Sequence, residues 1–309
     1  MIINNYKINL ENDEILEKFK GYTIISIETT GLSKYKDIII SYALLEIKKE
    51  TELKVYTAQS LEEEINLINK IDLKNKNIIN YNLDGFTLPF IEEKFKFYKK
   101  TLPSFKTFDI YKYLKKNNDF LNIENYRQKT VEEFLKIENN EEVKSKNIGK
   151  YFKDYLLSKD EDNLNKIIKH NKDNTLNIYK ILEIYKYIEE LKTLKILNHN
   201  FYIDSLSFSD TLLLINGKDN LDFDSEFNTS NYSFSSRNNK FTIEINYLED
   251  YYDDQNKCKY LIANNFFDIK MQDEIKAPEN IYILYYKKTL INNTLHLIKT
   301  IIKESLNNI

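Results

Sequence analysis

The sequence predicts an α/β fold: a mixed sheet flanked by helices, followed by a smaller, strand-rich α+β domain that ends in a helix. Three observations predict it. Strand-like and helix-like segments alternate over the first two thirds of the chain, an order that packs helices against a sheet. Beyond residue 196, short β-branched and aromatic runs take over until a final amphipathic stretch. At 309 residues and 42% hydrophobic, the chain has enough apolar side chains for one large packed domain or two modest ones. We expect domains at 1–195 and 196–309.

The elements follow in order. Residues 13–20 form a short amphipathic run with Asp13 near its start and Gly21 at its end, the signature of a helix. The segment 22–28, YTIISIE, is a β-branched strand, broken by the turn TTGLS and followed by strands over 37–47 and 53–59. Leu61, Ile65, Leu67 and Ile68 mark one face of a helix, and 77–82 reads as a strand. Helices are expected from Pro89 to about residue 100 and from Thr107 to Lys116. Thr130 three residues before Glu133 has capping-box spacing. Apolar residues from Leu164 to Ile184 keep a helical period over one long helix or two abutting ones. In the second part Asn216-Gly217 signals a hairpin turn. Strands are expected over 241–250, 257–267 and 279–288, then a closing helix from about 290.

Composition excludes several classes. The 45 basic residues nearly balance 48 acidic ones, so no polyanion-coating protein is indicated and any nucleic-acid binding must be local. The second part carries 11 basic and 16 acidic residues beyond Lys195, an unfavourable balance for gripping a phosphate backbone. A single cysteine, Cys258, forms no internal disulfide or thiolate cluster, and His170, His199 and His296 are too few for a histidine-rich metal centre. The opening residues are acidic and polar where a signal peptide would be basic then apolar, and no apolar run reaches a membrane-spanning length. The expectation is a soluble cytoplasmic protein without membrane contact.

Four segments, in order, carry chemical meaning: Ile25-Ser26-Ile27-Glu28-Thr29-Thr30-Gly31-Leu32, Tyr81 to Phe90, Asn125 to Leu135, and His170-Asn171-Lys172-Asp173-Asn174. Together they resemble the DEDD superfamily of 3′–5′ exonucleases within the ribonuclease-H-like fold, in its YprB-type branch. The first is similar to D-I-E-T-T-G-L, the second to Y-N-G-x-x-F-D-x-P-F and the last to H/Y-N-x-x-D. The resemblance covers about residues 20–190 and rests on four ordered matches rather than on any single one. It implies two Mg²⁺ or Mn²⁺ ions roughly 4 Å apart, acting on a phosphodiester at a 3′ end. Hard cations require several carboxylate oxygens, and positions i and i+2 of a strand present two of them to one side.

The chain departs from this pattern at the ligand positions. Ser26 stands at the first aspartate position, Thr87 at that of the second motif and Asn174 at the last, so that Glu28 is the remaining carboxylate, with His170 on the helical face of Asn174. A site expected to bring about four negative charges brings one, and each lost contact removes several kcal/mol of attraction for the ions even at an effective dielectric of about 20. The resemblance therefore implies a pseudo-exonuclease with a vestigial pocket of Ser26, Glu28, Thr87, His170 and Asn174, expecting no metal and keeping affinity for single-stranded nucleic acid or a nucleic-acid-processing protein. Thr30, Gly31, Leu32 and Asn82 are its candidate strand contacts.

Two rivals remain. An active enzyme would use Mg²⁺ or Mn²⁺ on Glu28 with Asp84 and Asp173 as relocated ligands. A protein-assembly scaffold would dock through the C-terminal part and its last helix. Each candidate also has a plainer role: Glu28 as a hydrogen-bonded strand-end glutamate, Asp84 and Asp173 as turn and surface residues, His170 as a structural histidine and Leu32 as core. Asp109 is expected to make a structural hydrogen bond. From Lys94 to Lys116, eight lysines and one aspartate interleave with seven aromatic residues. This suits single-stranded nucleic acid, or equally aromatics facing a core with lysines on their solvated side.

Overall fold

The computed structural model describes residues 1–138, 143–266 and 269–308. The chain divides into two compact units: Met1–Lys116 with Ile123–Lys186, and Asn117–Asn122 with Tyr187–Ile309. The second unit thus begins at Tyr187 and also holds a short segment from the first half.

In the first unit the strands are β1 (Ile2–Asn9), β2 (Tyr22–Thr29), β3 (Ile39–Glu46), β4 (Glu50–Thr57), β5 (Asn77–Asn80) and β6 (Lys106–Asp109), in the order β1-β4-β3-β2-β5-β6. β2, β3, β4 and β1 pair antiparallel, whereas β5 and β6 run parallel to β2. The central strand β2 is buried along six consecutive residues, as its unbroken β-branched run requires of a strand covered on both faces. The edge strand β1 alternates half-buried and exposed residues. Sequence reading did not anticipate it, because the asparagines and lysine between its apolar residues mask the period of two.

The helices are α1 (Asp13–Lys18), α2 (Glu64–Lys70), α3 (Leu88–Phe97), α4 (Ile110–Lys116), α5 (Gln128–Phe134), α6 (Ile148–Ser158), α7 (Glu161–Ile181) and α8 (Glu183–Lys192), the division between units falling inside α8. α7 packs across β2, β3 and β4 through Leu164, Ile167, Ile178 and Ile181, all buried. The stretch read as a helix over 107–116 instead begins as β6. Asp109 ends that strand and caps α4, accepting from the Lys112 N–H at 3.3 Å and the Asp84 N–H at 2.9 Å. The capping box at Thr130 does not form. Arg127 occupies the cap of α5 and the Thr130 hydroxyl donates to Asn125 Oδ1 at 2.8 Å.

The lysine and aromatic stretch divides among α3, β6 and α4. Lys94 is buried and lies 3.4 Å from Glu64, Phe95 is buried, and Phe108 packs edge-on against Phe19. The other lysines are exposed.

The second unit contains β7 (Thr193–Ile196), β8 (His199–Ser209), β9 (Leu212–Asp219), β10 (Ser225–Asn228), β11 (Tyr232–Arg237), β12 (Lys240–Asn246), β13 (Leu248–Tyr251), β14 (Lys257–Ile262), β15 (Ile281–Tyr286) and β16 (Lys288–Thr289), with the closing helix α9 (Ile291–Asn307). Two antiparallel sheets form, β10-β11-β12-β9-β8-β7 and β13-β14-β15-β16, and α9 packs against strands of both. Its apolar face, with Leu297, Ile298, Ile301 and Ile302, is buried within the unit. Of the strand expected over 257–267, β14 and a short turn account for the described part, and Phe267 lies outside the described residues.

Asn216-Gly217 is not a turn. Both residues lie inside β9, and the chain reverses at Asp210-Thr211, with Ser209 paired to Leu212. A Cβ at Gly217 would lie 2.3 Å from the Tyr202 carbonyl oxygen and 2.4 Å from the Phe241 ring, so the glycine serves close packing in the strand interior. The left-handed turn that asparagine favours is found at Asn238-Asn239, which links Arg237 to Lys240.

Candidate functional site

A cleft of about 530 Å³ opens at the carboxyl ends of β2 and β5, lined by the strand end Ser26–Leu32, by Asn80, Tyr81, Phe86 and Thr87, by Ser145, Lys146 and Gly149, and by His170 and Asn174 of α7. The five residues named as a pocket, Ser26, Glu28, Thr87, His170 and Asn174, all line it. So do Thr30, Gly31 and Leu32, with Leu32 86% exposed. Asn82 does not: it is exposed and holds a left-handed conformation at the entry of the turn leading into α3.

Alternation along β2 turns Ser26 and Glu28 to the side of α7. The Ser26 hydroxyl is buried, donates to Asn171 Oδ1, and lies 2.7 Å from Thr175 Oγ1. Asn171 in turn donates through Nδ2 to Ser41 Oγ at 2.9 Å, and Ser41 lies 3.0 Å from Thr57 Oγ1. Residues 171 and 175 are one helical turn apart, and so are 170 and 174. One stripe of α7 therefore anchors β2, while the next faces the cleft. Sequence reading named the second stripe and missed the first.

Glu28 Oε1 lies 2.8 Å from His170 Nδ1, both side chains being less than a tenth exposed. On the other side of the ring, Nε2 lies 3.1 Å from Ser145 Oγ. An ionised carboxylate only accepts, so with Glu28 charged the Nδ1 proton points to it, and in the neutral ring Nε2 accepts from Ser145. Asn174 Oδ1 accepts from Gln128 Nε2 at 2.8 Å, and Thr87 Oγ1 accepts from Asn80 Nδ2 at 2.7 Å. The three neutral replacements are thus each engaged by a neighbouring side chain.

Asp84 and Asp173 do not line this cleft. Asp84 forms a surface ion pair with Lys112 at 3.1 Å, and Asp173 lies 3.8 Å from Lys172 on the wall of a neighbouring cavity of about 430 Å³. Among the described residues no group of three or more histidine, cysteine, aspartate or glutamate side chains is placed to hold a metal ion.

The turn between β2 and β3 is held by Asp37, whose carboxylate accepts from the Thr30 hydroxyl at 3.2 Å and from the Ser33 N–H at 2.8 Å. Gly149 of α6 lets that helix approach it: a Cβ there would lie 2.2 Å from the Thr30 carbonyl oxygen.

The order β4-β3-β2-β5-β6, with three antiparallel strands followed by two parallel to the first, and a cleft between the central strand's end and a long helix, define a ribonuclease-H-like α/β domain. A family model described as the RNase H superfamily matches residues 23–186, and the chain belongs to that superfamily. No curated protein matches the chain significantly. Among the described residues no helix is long and apolar enough to cross a membrane.

Proposed function

We propose that the first unit is an exonuclease-like domain whose divalent-metal site has been dismantled, and that its cleft holds the end of a single strand of nucleic acid without hydrolysing it. The observation that carries this reading is the donor set of the cleft. Among the described residues Glu28 is the one carboxylate that lines it, and Ser26, at the position that should supply a second, is bonded inward to Asn171 and Thr175. Such a set does not fit two hard dications, which require several anionic oxygens, and no metal-dependent step follows from it.

What remains suits binding. The half-buried Thr30 and Gly31 and the exposed Leu32 form a turn beside the half-buried Phe86, whose ring offers stacking surface, with Lys146 as a cation for phosphate. The test is to add Mn²⁺ while following thermal stability, and to measure binding and digestion of labelled single-stranded DNA and RNA at low salt, where phosphate contacts are strongest. The reading expects no stabilisation, retained binding and no released nucleotides. Stabilisation by micromolar Mn²⁺ with digestion would establish the active rival, and absence of any nucleic-acid binding would favour the scaffold.

A further inference from the structure

Three side chains of the cleft stand in a relay that the nuclease resemblance does not use. Ser145 Oγ lies 3.1 Å from His170 Nε2, and His170 Nδ1 lies 2.8 Å from Glu28 Oε1. A hydroxyl in reach of an imidazole whose far nitrogen is held by a carboxylate is the arrangement that activates a serine as a nucleophile. The three come from separate elements: Ser145 from the turn that enters α6, His170 from α7 and Glu28 from β2. The exposures grade as the chemistry needs. Ser145 is exposed to the cleft, whereas His170 and Glu28 are buried, which fixes the ring and strengthens its bond to the carboxylate.

We propose that Ser145, His170 and Glu28 form a serine-hydrolase triad acting on neutral carboxylic esters. The proposal shares with the reading above the premise that Glu28 and His170 serve no metal. Ser145 Oγ attacks the ester carbonyl carbon as Nε2 takes the hydroxyl proton. The carbon–oxygen bond to the alcohol breaks, the alcohol leaves with that proton, and an acyl ester of Ser145 remains. Water then attacks the acyl carbon, giving its proton to Nε2, and Ser145 Oγ departs with that proton as the carboxylic acid is released. Glu28 holds the ring in the tautomer that accepts from Ser145 and stabilises the imidazolium. Leu32, Tyr81 and Phe86 give the cleft apolar walls, which favours an ester with apolar acyl and alcohol groups.

The test treats the full chain, in the presence of a chelator, with a fluorophosphonate probe, locates the adduct by mass spectrometry, and follows hydrolysis of p-nitrophenyl butyrate. One adduct per chain at Ser145 is expected. It should be absent in Ser145→Ala, slowed at least about 100-fold in His170→Gln, as loss of a general base does, and slowed less in Glu28→Gln, with circular dichroism showing each variant folded. If His170→Gln fails to fold, the labelling rate of the unmodified chain against pH replaces it and should rise with one ionisation. No adduct at Ser145, labelling undiminished in a folded His170→Gln, or labelling that shows no such ionisation would overturn the proposal. A chain that is neither labelled nor stabilised by Mn²⁺ loses this proposal alone. Stabilisation by Mn²⁺ that also blocks labelling would overturn both readings.

Discussion

Glu28 Oε1 lies 2.8 Å from His170 Nδ1, joining the central strand of the first unit to the helix that crosses it. Both groups are buried, so the contact is shielded from water and salt. Replacing Glu28 with alanine leaves the Nδ1 proton without its carboxylate. A loss of about 1.5–3 kcal/mol is expected, measured by chemical denaturation of the variant against the parent.

Ser26→Ala tests the buried cluster on the other stripe of α7. The hydroxyl supplies Asn171 Oδ1 and contacts Thr175. Its removal leaves a buried amide oxygen without that donor, at a cost of about 1–3 kcal/mol. The melting temperature should fall by several degrees, while binding of single-stranded nucleic acid at the cleft mouth should change little.

Lys94 separates the two readings of the lysine and aromatic stretch. It is 5% exposed and pairs with Glu64, whose carboxylate also accepts from the Ile39 N–H and the Tyr98 hydroxyl. Lys94→Met leaves a buried carboxylate without its cation and should cost about 3–5 kcal/mol, read from the denaturation midpoint. A folded Lys94→Met chain with sharply weaker nucleic-acid affinity would show instead that this lysine faces the ligand.

Gly217→Ala should destabilise the second unit by at least about 1–3 kcal/mol, since the added methyl has no room between the Tyr202 carbonyl and the Phe241 ring. Proteolysis or thermal melting of the full chain reads the effect. A tolerated alanine would contradict the close-packing account of the glycine.

Much of the first unit was legible because its central strands are unbroken β-branched runs and its helices keep an apolar period. The turn signals were less informative. Asn216-Gly217 has hairpin composition, yet tertiary packing against Phe241 selects the glycine, and the reversal falls at Asp210-Thr211. The strand β6 was hidden by a short sequence, TFDIYKY, that continues directly into a helix. In the cleft, the motif spacing pointed to Ser26, Glu28, Thr87, His170 and Asn174 because the resemblance supplied a register. Ser145, Asn171 and Thr175 were not legible. A serine 25 residues before the histidine it touches has no period or motif to mark it, and the roles of Asn171 and Thr175 arise from the rotation of α7 on the sheet. Asn82 was selected by its place in a motif, whereas its left-handed backbone puts it outside the cleft.

The central claim is that the cleft has too few anionic oxygens to bind two divalent ions, and calorimetric titration with Mn²⁺ tests it most directly. The parent chain should give no binding heat at micromolar Mn²⁺, and the triple variant Ser26→Asp, Thr87→Asp, Asn174→Asp should bind the ion. Two Mn²⁺ ions binding tightly to the parent chain would contradict the account.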